Sequence, residues 1–262
     1  MQDAWTFGTS ALPLVTTAIH AGHQLRPELT VRVALDDTAR LREEDPFTDR
    51  LTVAGGTPVV VHRSRFEVDL NRPRKDAVYR DPDSCWGLEV WQAPLTEEQI
   101  DRSLALHDAF YADLAALLDG LAQHGPFVVL DVHSYNHRRE GADRPPAPAD
   151  ENPEVNVGTG SLDRERWGHV VERFMTTLAE REVAGHHLDV RENVRFQGGH
   201  LTRWVHERYA GVGCALAVEL KKVFMDEWTG IPDDSHLAEL TDAFAATVPL
   251  LLGELACGPA SA

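Results

Sequence analysis

Cysteine is scarce in this chain: Cys85, Cys214 and Cys257 are the only three. Three thiols cannot all pair, and their spacing is not that of a zinc knuckle. A disulfide-stapled scaffold is therefore excluded, and a reducing cytoplasm is the simplest expected location. Long apolar runs are also missing. No stretch reaches the roughly 18 residues needed to span a bilayer, and Met1-Gln2-Asp3-Ala4-Trp5 has neither the basic start nor the apolar core of a signal peptide. Positive charge is in short supply, with 25 Lys and Arg against 42 Asp and Glu, a formal net charge of −17. That balance argues against nucleic acid or an anionic membrane as the main partner. It leaves a small anionic substrate open, because basic residues cluster locally at Arg72-Pro73-Arg74-Lys75, His137-Arg138-Arg139 and Lys221-Lys222. There is no Gly-x-Ser-x-Gly elbow, no P-loop and no dinucleotide fingerprint. No Gly/Ser-rich linker or internal repeat divides the chain, so residues 1–262 are expected to form one domain, and the pattern sets no oligomeric state. The 43% hydrophobic content suits a packed core.

Three candidate ligand or base residues close short apolar runs. His20 follows Leu14–Ile19, His133 follows Phe127–Val132, and Glu219 follows Cys214–Val218. Each run reads as a buried strand. In open α/β sheets the functional crevice lies beyond the carboxyl ends of the strands, so parallel pairing would bring two imidazoles and a carboxylate together. Thr57–Val61 and Arg65–Leu70 read as further strands. Thr96-Glu97-Glu98-Gln99 is a capping box that opens a helix to about His124, ended by Gly125-Pro126. Residues 162–183 and 234–255 read as two more helices. Gly141 to Pro153, with prolines at 145, 146, 148 and 153, reads as a long exposed loop near the His133 edge, and the region from Pro73 to Pro94 as irregular surface. The tail from Gly258 reads as frayed.

Each candidate has a plain reading beside the chemical one. Asp131 lies two residues before His133, on the same side of the strand, where a carboxylate can fix the tautomer of a ligand histidine; the plain alternative is a histidine that merely closes a strand. His20 and His23 could share a metal or simply face water. Glu44 and Asp45 sit in an acidic run, usually a solvated face. Glu219 is costly to bury unless paired or functional, and partial burial would raise its pKa, which suits a general base. Arg65, Asn71 and Arg72 flank Asp69; arginine forks bind carboxylates or polarise carbonyls, but could equally form a structural ion-pair network.

In this order, Ile19-His20-Ala21-Gly22, an acidic segment ending Asp49-Arg50-Leu51, Ser64-Arg65…Asp69-Leu70-Asn71-Arg72-Pro73, Leu130-Asp131-Val132-His133-Ser134 and a strand ending in Glu219 resemble the N-formylglutamate amidohydrolase family. That family is similar in fold to the zinc carboxypeptidases and aspartoacylases. The resemblance runs from about Leu14 to Lys222. It implies an α/β fold: a mixed, largely parallel central sheet with helices on both faces, zinc-carboxypeptidase-like (phosphorylase/hydrolase-like). It also implies one Zn2+ per chain, held by His20, His133 and a carboxylate, Asp45 or its neighbour Glu44. Glu219 matches the glutamate base, and Arg65, Asn71 and Arg72 match the substrate-gripping positions. Two features depart from the pattern. His23 stands where carboxypeptidases place a ligand glutamate, and the stretches 134–139 and 224–230 look particular to a subgroup. The implied activity is metal-dependent hydrolysis of the amide bond of a small N-acyl amino acid, N-formyl-glutamate by default. The alternatives are a carboxypeptidase-like hydrolase of a peptide, or a relative that binds metal or ligand without turnover.

Overall fold

A computed structural model describes residues 3–257, so the expectation for the tail from Gly258 lies outside the described residues. In chain order the strands are β1 (Trp5–Phe7), β2 (Leu14–Ala18), β3 (Thr57–Val61), β4 (Phe127–Tyr135), β5 (Val155–Gly158), β6 (Glu182–Val183), β7 (His186–His187), β8 (Val190–Glu192) and β9 (Gly213–Lys221). The helices are α1 (Pro27–Thr30), α2 (Asp37–Glu43), α3 (Glu97–Ala122), α4 (Arg164–Ala179), α5 (His200–Arg208) and α6 (Asp234–Cys257).

Seven strands form one sheet in the order β1-β3-β2-β4-β9-β5-β8, and β6 and β7 make a separate hairpin. Its centre, β3-β2-β4-β9, is parallel. At one edge β1 runs antiparallel to β3; at the other, β5 runs antiparallel to β9 and carries β8 parallel to itself. This is the expected mixed, largely parallel sheet. All nine residues of β4 are buried, as a strand covered on both faces requires. Residues alternating along it serve the two faces: Val128, Leu130 and Val132 pack with α4 and α6, whereas Val129 packs with α3 and α5.

The capping box forms as its sequence predicts. Thr96 Oγ1 accepts from the Gln99 backbone N–H at 3.2 Å, and Gln99 Oε1 accepts from the Thr96 N–H at 3.0 Å. The helix expected over 162–183 is α4, which stops at Ala179 and gives way to the β6–β7 hairpin. The strand expected over Arg65–Leu70 does not form. That segment is a chain of turns: Glu67 N–H donates to Ser64 O, Arg72 N–H donates to Asp69 O, and Asp69 N–H donates to Ala77 O. Its polar side chains, rather than a neighbouring strand, fix its shape. β4 is longer than expected, so His133 lies inside the strand and not just past it.

Close backbone contact shapes one wall of the site. A Cβ at Gly158, the last residue of β5, would lie 2.6 Å from the Gly198 nitrogen and 2.8 Å from the Gln197 carbonyl carbon. Only glycine lets the 197–199 turn rest against the sheet. Gly158→Ala is expected to cost on the order of 1–3 kcal/mol through overpacking. A calorimetric melt should show the loss, and an unchanged Tm would contradict the tight fit.

Candidate metal centre and active site

Parallel pairing of β2, β4 and β9 gathers the strand-end residues. His133 and Glu219 are direct register partners across β4 and β9, so their side chains emerge on one face. β2 pairs with β4 on its other side, and the chain leaving it places His20 beside them. Asp45 follows α2 and is drawn in by its own backbone, whose N–H donates to His20 O at 2.9 Å. His20, Asp45 and His133 each offer a ligand atom, and these atoms lie within 4.8 Å of one another. All three residues are buried.

The outer nitrogens are anchored first. His20 Nε2 lies 2.7 Å from Asp69 Oδ1, and His133 Nε2 lies 3.0 Å from Asp131 Oδ2. A carboxylate only accepts, so both Nε2 atoms carry the proton. Asp131 is itself fixed by Thr17 Oγ1, which donates to its Oδ1 at 2.6 Å. Asp69 receives Arg65 Nη2 at 2.9 Å, the Asn71 N–H at 2.9 Å and the Tyr79 hydroxyl. Both Nδ1 atoms face inward at Asp45 Oδ2, 2.9 Å from His133 and 3.4 Å from His20.

This arrangement calls for a positive charge at its centre. His20 Nδ1 is buried with no hydrogen-bond partner, which is costly unless something satisfies it. Burial alone would push the Asp45 carboxyl up, but the His133 hydrogen bond and the His20 imidazole beside it hold it well below the usual range. Burial lowers the His133 imidazole, and the carboxylates of Asp131, Asp45 and Glu219 outweigh it and raise it well above the ordinary value. Two imidazoles and a carboxylate, each held from behind, fit one divalent ion with nitrogen and oxygen ligands, which would take the place of the proton between His133 Nδ1 and Asp45.

Of the two adjacent acids, Asp45 faces the histidines and Glu44 does not. Glu44 Oε2 meets His23 Nδ1 at 2.5 Å, and Ser64 Oγ donates to its Oε1. His23 is thereby occupied outside the cluster. Glu219 lines the same cavity as the three grouped residues, and burial pushes its carboxyl up to about 7, with His133 pulling it down and Asp45 and Asp131 pushing it up. Among the described residues none donates a hydrogen bond to it.

The cavity has a volume of about 370 Å³. Arg65 and Asn71 form part of its wall; Arg72 does not, and stacks instead over Tyr79 with its Nε 3.5 Å from Asp69. Asn71 Nδ2 lies 3.2 Å from His133 Nε2, and Asn71 Oδ1 accepts from the Leu201 N–H at the start of α5. Sequence reasoning did not single out Arg139, Arg195 and Lys222, which also line the cavity. The basic clusters His137-Arg138-Arg139 and Lys221-Lys222 were the only signal for two of them. Glu227 takes the His137 and Arg138 N–H groups at 2.8 Å each, which fixes the approach to Arg139. Arg195 Nη1 donates to Asn152 Oδ1 at 2.9 Å, and its backbone N–H donates to Asn156 Oδ1 at 2.8 Å. No carboxylate oxygen lies within 4.0 Å of its guanidinium among the described residues.

The family model for N-formylglutamate amidohydrolase matches residues 12–225. The chain belongs to that family. A curated relative, the N-formylglutamate deformylase of Pseudomonas aeruginosa, is 27% identical, with 93% of each chain covered. The crystal structure of an N-formylglutamate amidohydrolase from Ralstonia eutropha has the same fold, with a TM-score of 0.75 at 20% identity over 94% of this chain and 96% of that one. A gene product of Agrobacterium tumefaciens superposes with a TM-score of 0.63 at 17% identity, covering 97% and 95% of the two chains. Membership makes this chain an amidohydrolase. No helix among the described residues is long and apolar enough to cross a membrane.

The environment of Glu219 has a measurable consequence. Its carboxyl, pushed up by burial to about 7, stands above the ordinary glutamate value of 4.5. Unfolding therefore releases a proton between those two values, and the metal-free protein loses stability as pH rises through that window. Glu219→Gln removes this loss. The variant should melt above the metal-free wild type at about pH 8 and close to it at about pH 5. Equal shifts at both pH values would contradict a raised carboxyl.

Proposed function

We propose that this chain is a metal-dependent amidohydrolase that cleaves the formyl C–N bond of N-formyl-L-glutamate, releasing formate and glutamate. The observation that carries the reading is the orphaned Nδ1 of His20, which faces Asp45 and His133 beside an uncommitted Glu219. The ion would be held by His20, Asp45 and His133, one per chain, with zinc the choice that family likeness favours; mixed nitrogen and oxygen ligands suit several ions. When bound, it would supply Lewis acidity towards both the water and the formyl oxygen.

The remaining work falls to side chains of this chain. Glu219 takes a proton from the attacking water and passes it to the departing nitrogen, a task for which a pKa near 7 is well matched. Arg65 faces the oxygen that gains charge. Its guanidinium is held by Asp69 at 2.9 Å and stacks over Trp86 at 4.7 Å, so it needs no reorganisation. Asn71 takes the carboxylate next to the scissile nitrogen, and Arg72 supports it from behind through Asp69. Arg195, which has no counter-ion among the described residues, and Arg139 at the rim take the second carboxylate. Against a net charge of −17, these local cations draw a dianion inward. A cavity of about 370 Å³ favours a small N-acyl amino acid over an extended peptide.

The direct test is formate release from N-formyl-L-glutamate by the purified protein, beside Glu219→Gln. Wild type is expected to turn over, with kcat/KM rising as Glu219 loses its proton at or below about pH 7. The variant should lose about a hundredfold or more in kcat and lose that limb of the profile. No turnover by wild type supplied with zinc, or full activity in the variant, would refute the reading.

A further inference from the structure

Lys222, one residue past β9, is 1% exposed, yet no carboxylate oxygen lies within 4.0 Å of its ammonium among the described residues. A buried charge without a counter-ion is expensive and calls for an explanation. Its Nζ donates to two carbonyls, Arg42 O and Glu44 O, at 2.6 Å each. Arg65 Nη1 donates to the carbonyl between them, Glu43 O, at 3.3 Å. These oxygens belong to the C-terminal turn of α2, where carbonyls lack helical partners and the helix dipole is negative. Two basic side chains from the cavity wall thus cap α2 in trans.

The cap reaches the metal cluster through a single peptide. The Glu44 carbonyl and the Asp45 N–H are its two polar ends. Lys222 holds the first, and His20 O accepts from the second at 2.9 Å. With both ends tied, the peptide plane is held, and the Asp45 side chain leaves it towards His20 and His133. Glu44 leaves on the opposite side, to Ser64 and His23.

We propose that Lys222 is a positioning residue for the metal centre, fixing the Glu44–Asp45 peptide so that Asp45, rather than Glu44, faces the two histidines. The inference rests on the metal site proposed above. Lys222 also lies three residues after Glu219 and donates its backbone N–H to Tyr135 O at 3.0 Å. One short segment therefore ties the base, the His133 strand and the carboxylate together.

The test is a zinc titration of the metal-free protein against a competing chromophoric chelator, for wild type, Lys222→Met and Lys222→Gln. Melting curves are recorded in parallel. Lys222→Met should weaken zinc binding by about tenfold or more while remaining folded, as loss of an outer partner of a ligand typically does. Lys222→Gln, which keeps two N–H donors at shorter reach, should fall between. In an Asp45→Ala background, Lys222→Met should bring little further loss, because its effect passes through Asp45. A lowered Tm with zinc affinity within about twofold of wild type, or the same loss with and without Asp45, would overturn the proposal. So would failure of both variants to fold in saturating zinc, which would assign Lys222 to stability alone. Absence of zinc binding by the wild type would instead refute the metal reading itself.

Discussion

Two buried imidazoles, each gripped at Nε2 by a carboxylate, are the constraint around which the rest of the site is arranged. Asp69 and Asp131 accept those protons at 2.7 and 3.0 Å. Each ring is thereby oriented, and both Nδ1 atoms are turned towards Asp45. The cluster gathers nitrogen and carboxylate ligand atoms in a buried space, an arrangement that favours a cation at its centre. The fold keeps that cluster by fixing each member from behind, through Thr17, Arg65, Tyr79 and the Asn71 N–H. Few of these groups would be placed so carefully for packing alone.

The sheet supplies the geometry that makes this economical. Parallel pairing of β2, β4 and β9 brings His20, His133 and Glu219 to one edge without any long-range adjustment. The antiparallel strand β5 then closes the other flank, with buried Asn156 opposite Glu219. The same asparagine accepts the backbone N–H groups of Arg195 and Phe196. The cavity wall is thus keyed to the strand that carries Glu219. In an acidic protein the cavity wall still carries Arg65, Arg139, Arg195 and Lys222 against Glu43, Asp45 and Glu219.

The architecture was legible wherever the periodicity of the chain agreed with its tertiary role. The apolar runs before His20, His133 and Glu219 became parallel neighbours, and the capping box at Thr96 opened α3 as written. Arg65–Leu70 misled, because alternation of polar and apolar residues there reflects turns fixed by Asp69 and Ser64 rather than a strand. Short elements were invisible: β5 has four residues and α5 nine, and neither carries a signal strong enough to stand apart from its surroundings. Within the site, strand-end placement and family likeness identified the residues the structure groups together. The choice between Glu44 and Asp45 was not legible, because it depends on which way one peptide faces, and that is set by Lys222 and His20 from distant parts of the chain. Arg195 was missed for a related reason, since nothing local marks an arginine whose place on the cavity wall is set by Asn152 and Asn156.

The central claim is that His20, Asp45 and His133 hold a metal ion. Its most direct test is metal content by mass spectrometry of the protein purified without chelator and with zinc supplied, wild type beside His133→Ala. The account predicts about one divalent ion per chain in wild type, the count of a single three-ligand site, and its loss in the variant. Negligible metal in both, or equal metal in both, would contradict it and leave the paired histidines and carboxylates as a structural network.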